Sequence, residues 1–209
     1  MAEESSVTLL SEAEKEALKF LERDFNQCFQ QMRHYDGQIL DIVKFMFTAY
    51  ASLVGVALGL YQFGLKERFD LTLPAVVAVV VGLVLGLFLY TLAVRNRVYF
   101  VQVARYVNEQ RRFFFRYRPL GFANESGMYT DHRQPPLFNW RSSEAWYTYM
   151  IAALNSILLS VLLFVALSPP YRIWGIVFGS AGLLATQLWL GIRYLRLRER
   201  RTAGEAAFA

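Results

Sequence analysis

The second long apolar stretch of the chain, residues 71–94, is LTLPAVVAVVVGLVLGLFLYTLAV and contains no Asp, Glu, Lys or Arg. Three further stretches share this property, residues 45–65, 145–171 and 173–192. A transmembrane helix needs about 20 mostly apolar residues to cross a hydrocarbon core of about 30 Å. Amphipathic helices of soluble proteins carry a polar face with charged residues, and these stretches contain no charged residue. The sequence therefore predicts an all-α, polytopic membrane protein with four transmembrane helices.

These stretches divide the 209 residues into five segments. The N-terminal segment is expected to be an acidic cytoplasmic helix that continues into the first span. The central segment is expected to begin with a basic and aromatic helix that extends the second span, followed by a loop. The predicted segments are the N-terminal helix (1–41), the first transmembrane hairpin (42–94), the central helix and loop (95–144), the second hairpin (145–192) and a basic tail (193–209).

Basic residues are concentrated on one side of the predicted spans. Of the 22 Lys and Arg residues, 18 lie in the N-terminal segment, the central segment and the tail, and three lie in the two short loops opposite. Positive charge next to membrane spans is retained in the cytoplasm. The expected location is therefore the inner (plasma) membrane, with both termini cytoplasmic. The start of the chain, MAEESS, lacks the basic region that opens a signal peptide.

The N-terminal helix carries a heptad pattern. Ser11 and Glu14 have the spacing of a capping box, which predicts that the helix begins here. Apolar residues then recur at alternating intervals of three and four, which is typical of a helix that packs along its length against another. Two arrangements remain open, docking onto the same chain or association between chains, with a gating or oligomerisation role. The predicted seam is Leu18, Leu21, Phe25, Cys28, Met32, Tyr35, Ile39 and Ile42, continuing to Met46.

The central helix interleaves arginine with aromatic residues between positions 105 and 118. Such a pattern can bind a nucleotide or single-stranded nucleic acid, since arginine pairs with phosphate and rings stack on bases. The same pattern at a cytoplasmic leaflet anchors a helix to anionic lipid headgroups. Pairing with the acidic N-terminal segment, whose net charge is −5, is compatible with either interpretation. The candidate residues are Arg105, Arg111, Arg112, Arg116 and Arg118; duplex nucleic acid is not an expected partner.

Polar residues within the spans are few and uncharged. If three or more copies surrounded an axis, such residues would line a pore, with apolar rings as its gate. The candidates for pore lining are Asn155, Ser156, Ser160 and Gln187. Small residues also recur every four positions, as at Ala51, Gly55 and Gly59, which favours close helix packing within or between chains.

Enzymatic chemistry finds little support in the sequence. The chain has one cysteine, Cys28, and two distant histidines, His34 and His132, so no metal site or cofactor is expected. A lipid-processing enzyme would require a catalytic group in the loop of residues 121–141, for instance Asp131 and His132, and a polar turn is the favoured interpretation of this pair. The protein is therefore predicted not to be an enzyme.

The order of these parts resembles the SLATT-type transmembrane effectors of bacterial, nucleotide-signalled anti-phage defence. The likeness lies in the cytoplasmic helix of residues 11–34, the hairpin of residues 45–94 and the basic and aromatic helix of residues 95–118. The second hairpin, residues 145–192, departs from the two-span layout of that family. The resemblance implies an antiviral protein that forms oligomeric pores and damages the host membrane when activated.

The leading hypothesis is an oligomeric, pore-forming or channel-like membrane protein gated from the cytoplasm by its N-terminal helix. Its expected partners are membrane lipids, further copies of the chain, and a cytoplasmic regulatory protein or nucleotide signal. The alternative is a non-conducting scaffold or accessory subunit that recruits a cytoplasmic partner through the same surfaces.

Overall fold

A computed structural model describes residues 11–67, 71–116 and 122–205, and within these ranges it contains four helices and no strand. Helix α1 is 56 residues long and α2 is 44, whereas α3 has 24 residues and α4 has 37. The first helix is unbroken from the N-terminal segment through the first span, as predicted. The bounds are Glu12–Glu67 (α1), Thr72–Phe115 (α2), Ser143–Ala166 (α3) and Pro169–Glu205 (α4).

All four helices are long and apolar enough to cross a membrane, as the sequence predicted. At most 33% of the most apolar window of each helix is buried inside the protein. Large apolar side chains such as Leu73, Val84 and Phe178 are more than 60% exposed. Such surfaces are unfavourable in water and match a lipid environment, which supports a multi-pass membrane protein.

The predicted helix start at Ser11 and the start of α3 have hydrogen-bonded caps. Glu14 accepts hydrogen bonds from the backbone N–H and the hydroxyl of Ser11, both at 2.8 Å, which completes the capping box and lowers the pKa of Glu14. Ser142 caps α3 by accepting from the N–H of Ala145 at 3.2 Å. The uncharged stretch of residues 145–171 extends past the third helix, since α3 ends at Ala166 and Pro169 opens α4. Proline favours the first turn of a helix, where its missing N–H has no partner to lose.

The chain divides into two compact units. Of the described residues, 11–34, 102–116 and 122–135 form the first unit, which combines the start of α1, the end of α2 and the following loop. The second unit is formed by residues 35–67, 71–101 and 136–205 and contains the four candidate spans. Two of the five predicted segments, 1–41 and 95–144, are divided between the units, and the other three belong to the second unit.

The second unit has a continuous apolar core. Met46 of α1, Val79 of α2, and Ile151 and Leu158 of α3 are at most 1% exposed. Small residues let the helices approach closely in this unit. A side chain on Gly82 would meet Leu53 and Leu158, and one on Gly179 would meet Leu163.

Candidate functional site

A hydrogen-bonded cluster lies at the centre of the second unit and joins all four helices. Asn155 of α3 is completely buried. Its Oδ1 accepts from the hydroxyl of Tyr50 at 2.6 Å, and its Nδ2 donates to the carbonyl of Gly86 at 3.1 Å and to Gln187 Oε1 at 2.7 Å. The amide of Asn155 therefore has a partner for each of its polar atoms.

Gln187 of α4 is bound in a comparable way. Its Nε2 donates to the backbone carbonyls of Ala152 and Leu183, both at 3.4 Å, and the backbone carbonyl of Gln187 accepts from the hydroxyl of Tyr90 at 2.6 Å. The two buried amides satisfy one another and the neighbouring backbone without requiring water. The polar side-chain atoms of Asn155 and Gln187 are therefore all engaged within one chain at this level.

The two serines predicted to line a pore also face other residues of the same chain. Ser156 donates to the carbonyl of Ala152 at 2.9 Å, and Ser160 donates to the carbonyl of Ser156 at 3.0 Å. The hydroxyl of Ser160 lies 2.7 Å from that of Ser180. All four candidates, including Asn155 and Gln187, thus lie between helices of one chain, and their role in lining a pore stays a prediction that would require this bundle to open.

The small-residue patterns fall into two groups that the sequence does not distinguish. A side chain on Gly86 would collide with the Tyr50 hydroxyl and with Asn155, so this glycine serves packing inside the chain. Gly55 and Gly59 of α1 meet nothing within 4 Å. Together with Thr48, Ala51 and Ser52 they form an exposed face of small and hydroxyl-bearing residues, which we call the α1 small face.

A buried ion pair closes one end of the second unit. Arg97 of α2 forms a salt bridge with Glu144 of α3, and their side chains are only 10% and 14% exposed. Arg97 also donates to the carbonyl of Leu137 at 3.1 Å and to that of Pro136 at 2.9 Å. From α4, Glu199 accepts from the N–H of Leu137 at 2.9 Å. The segment that leads into α3 is therefore held by charged groups of two helices, Arg97 of α2 and Glu199 of α4.

Beside this ion pair lies a small cleft, open to its surroundings, with an internal volume of about 30 Å³. Helices α2, α3 and α4 and the segment before α3 form its walls. Most of its lining is apolar, and the polar groups of Arg97 and Glu144 are engaged with each other. The apolar lining residues are Val94, Leu137, Phe138, Ala145, Leu188, Ile192 and Leu195.

The predicted heptad seam is buried or half-buried along its whole length, whereas most residues between its members are exposed. In the second unit, Ile39, Ile42 and Met46 join the apolar core, and Tyr35 stacks on Tyr99 of α2 with ring centres 6.1 Å apart. The seam is thus covered by the same chain in this unit. Its role in gating or oligomerisation stays a prediction.

In the first unit, Asp24, which lies beside the seam residue Phe25 on α1, contacts the end of α2. Asp24 accepts hydrogen bonds from the Tyr106 hydroxyl at 2.8 Å and from Gln110 Nε2 at 2.7 Å. Cys28 is buried beside it. Desolvation raises the pKa of this thiol, and the negative charge of Asp24 raises it further, so the thiol is protonated at neutral pH.

Arg111 occupies an aromatic cage in the first unit. Its guanidinium lies 5.7 Å from the ring centre of Phe25, 5.0 Å from that of Phe29 and 5.1 Å from that of Tyr129. Desolvation in this cage lowers the pKa of Arg111, and Tyr129 partly opposes the effect. The cation–π contacts bind the loop before α3 to both helices of the unit.

The other predicted basic residues have different surroundings. Arg105 donates to the carbonyl of Pro135 at 3.1 Å, whereas Arg112 and Arg116 are exposed. Arg118 lies outside the described residues. The structure thus engages two of the five candidates within the unit, and two remain accessible to an anionic ligand or lipid.

Asp131 and His132 lie on the exposed loop of the first unit. The carboxylate of Asp131 accepts from the N–H of Arg133 at 2.8 Å, which is a common turn motif, and lies 4.0 Å from His132 Nδ1. Within the described ranges, no three His, Cys, Asp or Glu side chains come together as a metal site would require. The hydrogen bond between Asp131 and Arg133 is therefore one that stabilises a turn.

The Arg97–Glu144 pair was not predicted from the sequence. The available signal was spacing, since Arg97 follows Val94 by three and precedes Val101 by four, on the inward face of α2. Comparisons with models of protein families, with curated proteins and with solved structures found no match for this chain. The resemblance to SLATT-type effectors therefore stays a prediction.

Proposed function

We propose that this protein assembles as a homo-oligomer in the inner membrane and forms a pore or channel between its copies. The observation that carries the proposal is the α1 small face, which no other part of the described chain covers. Polar side chains inside the second unit bind one another, so a wet path through one chain is unfavourable. A conducting path would therefore run between chains, beside α1.

The chemistry of the α1 small face suits contact between helices in lipid. Glycine and alanine let backbones approach closely, and association in a bilayer depends on such packing because lipid tails are themselves apolar. From Thr48 to Gly59 the face extends over about 16 Å of helix, roughly half the hydrocarbon core. The hydroxyls of Thr48 and Ser52 donate to backbone carbonyls of the same helix and expose a mildly polar surface.

The first prediction concerns stoichiometry. Native mass spectrometry of protein released from nanodiscs at low concentration is expected to find a ring of three or more copies. Replacing Gly55 and Gly59 by leucine removes the close approach and is expected to raise the dissociation constant at least roughly tenfold, a change of about 1.4 kcal/mol. Ion flux into liposomes should fall in parallel.

Gly182→Leu provides the matched control, because Gly182 is also exposed in a span and meets nothing within 4 Å. This variant should retain the assembly and the flux. A monomeric wild-type protein would refute both the oligomer and the pore. An oligomer without flux would refute the pore alone and leave the scaffold.

The second candidate function is a non-conducting scaffold or accessory subunit, and the saturated hydrogen bonds of Asn155 and Gln187 favour it. A bundle closed in this way needs no opening to serve as an anchor. In this case the first unit, with its exposed Arg112 and Arg116, would bind a cytoplasmic regulatory protein or a nucleotide. Cytoplasmic termini are part of both proposals, and the excess of basic residues beside the spans supports them.

Charge reversal at Asp24 separates the two functions. Asp24→Lys removes the acceptor of Tyr106 and of the buried Gln110, so it is expected to destabilise the first unit by about 1–3 kcal/mol. Hydrogen exchange of residues 12–34 should accelerate. Glu22→Lys is the control. Glu22 is exposed, and its replacement makes the same change of charge two residues away from Asp24.

The readouts are liposome flux and capture of a cytoplasmic partner. If the N-terminal helix is a gate, Asp24→Lys should make the pore leak or lock, and Glu22→Lys should not. If the protein is a scaffold, Asp24→Lys should lose its partner with no change in flux. If Asp24→Lys changes neither the liposome flux nor the capture of a cytoplasmic partner, the N-terminal helix has neither role.

A defence role of the SLATT type is part of the leading proposal. A pore that opens only on a signal would harm the host membrane when activated, and the resemblance of residues 11–118 to those effectors supports this role. Expression of the Gly55→Leu and Gly59→Leu double variant should then be less toxic than wild type in cells that receive the signal.

A further inference from the structure

A buried tyrosine hydroxyl in the second unit lacks a hydrogen-bond partner. Tyr149 of α3 lines the cleft, and its hydroxyl is fully buried and makes no hydrogen bond to any described residue. The ring of Tyr149 contacts those of Trp140 and Trp146, with ring centres 6.2 Å and 5.8 Å away. Native proteins rarely leave such a hydroxyl unsatisfied, because burial without a partner costs free energy. The hydroxyl therefore requires a partner that the described residues do not supply.

Glu144 lines the same cleft and has room for a further donor. Its Oε2 atom is fully buried and is held by the ion pair with Arg97. A carboxylate oxygen has two lone pairs, and a buried ion pair is favourable only when additional hydrogen bonds satisfy the remaining ones. The cleft thus places a hydroxyl that can donate and a carboxylate that can accept along the same wall.

The size and charge of the cleft select its ligand. A water molecule needs about 10–15 Å³ of such internal volume, so about 30 Å³ holds one or two waters and no larger organic molecule. Arg97 and Glu144 neutralise each other, so the cleft offers no net charge to an ion. Two further hydroxyls in the lining donate elsewhere and can still accept, Tyr90 to the carbonyl of Gln187 at 2.6 Å and Thr148 to that of Glu144 at 3.1 Å.

We propose that this cleft binds one water molecule, which accepts a hydrogen bond from the Tyr149 hydroxyl and donates one to the Glu144 carboxylate. The water extends the ion pair of Arg97 and Glu144 into a network that joins α2 to the first two turns of α3. It has a partner for its oxygen and for one of its hydrogens, which is within the range for buried waters. The site does not include the α1 small face, so its test does not depend on the oligomer or on conduction.

The direct test is a crystal structure of the full-length protein in lipid, at a resolution that shows ordered water. A peak is expected within about 3 Å of both the Tyr149 hydroxyl and the Glu144 carboxylate. The same peak should be lost in Tyr149→Phe, which removes a single oxygen atom. A wild-type cleft without this peak would overturn the proposal, as would a peak that is unchanged in Tyr149→Phe.

Thermal unfolding in detergent gives a second test, whose sign depends on the water. If the hydroxyl binds water, Tyr149→Phe loses a hydrogen bond, and the unfolding midpoint should fall by about 2–4 °C. If the hydroxyl were unpaired in a dry cleft, the same variant would remove an unsatisfied polar group and raise the midpoint. Tyr147→Phe is the matched control on α3, since Tyr147 is half-buried and does not line the cleft, and it should leave the midpoint unchanged.

The salt used in the unfolding experiment distinguishes water from a bound cation. The wild-type midpoint should be the same in sodium, potassium and choline chloride at equal concentration. A midpoint that rises with sodium or potassium alone, and does so no longer in Tyr149→Phe, would assign the cleft to that ion and overturn the proposal. A midpoint of Tyr149→Phe equal to or above that of wild type would overturn it as well.

Discussion

Replacing Arg97 by methionine is expected to lower the free energy of unfolding by about 3–5 kcal/mol, the usual cost of removing one member of a buried ion pair. The substitution leaves the carboxylate of Glu144 buried without its cation. It also removes the donors to the carbonyls of Pro136 and Leu137, which hold the segment before α3. We expect this segment to detach and α3 to lose its fixed position.

The measurement is unfolding in bicelles, followed by tryptophan fluorescence. Arg95→Met is the matched control, because Arg95 is exposed on the same helix and its removal should change stability by no more than about 0.5 kcal/mol. The double variant Arg97→Met, Glu144→Leu should regain part of the lost stability, since no charge then remains buried. If Arg97→Met lowers the free energy of unfolding no more than Arg95→Met does, the ion pair does not stabilise the fold.

The second large effect is expected at Gly86. In Gly86→Ala the added methyl group would occupy the space of the Tyr50 hydroxyl and of Asn155 Oδ1. Overpacking of this kind costs about 1–3 kcal/mol. Each displaced hydrogen bond adds about 0.6 kcal/mol in a membrane interior. The helices must separate locally, so the loss extends to the contact between Asn155 and Gln187.

Gly182→Ala is the control for Gly86→Ala, since it makes the same change in a span where the space is open. Alanine is a better helix former than glycine, so this control should leave stability unchanged or raise it slightly. Thermal unfolding in detergent, followed by circular dichroism, compares the two variants. Equal midpoints would contradict the close approach of α1, α2 and α3 at Gly86.

Features that depend on local pattern were predictable from the sequence. The four spans, the capping box at Ser11 and the cap at Ser142 follow from composition and from interactions between residues three positions apart. The heptad seam was also predicted, because burial of one helix face leaves a period in the sequence. The surface that covers the seam was not predicted, because a seam has the same period whether it packs against its own chain or against another copy.

Features that depend on contacts between distant residues could not be predicted. Tyr50 and Asn155 are 105 positions apart, and neither residue type specifies the other. Arg97 was counted with the positive charges beside the spans, where most arginines are exposed, and only its place on the inward face of α2 separates it from Arg95. The glycines of α1 and α2 have the same spacing, yet the first set faces outward and the second inward.

The saturated pairing of Asn155 with Gln187 has a consequence for biogenesis. Ribosomes make α3 before α4, so the amide of Asn155 enters the translocon while its partner on α4 has not been synthesised. Until Gln187 arrives, one N–H of the Asn155 amide lacks a partner, which lipid cannot replace, whereas Tyr50 and Gly86 of the earlier helices bind its other polar groups. Insertion of the last helix therefore completes the fold, and a nascent chain that stops short of Gln187 would expose a polar signal that membrane quality control can recognise.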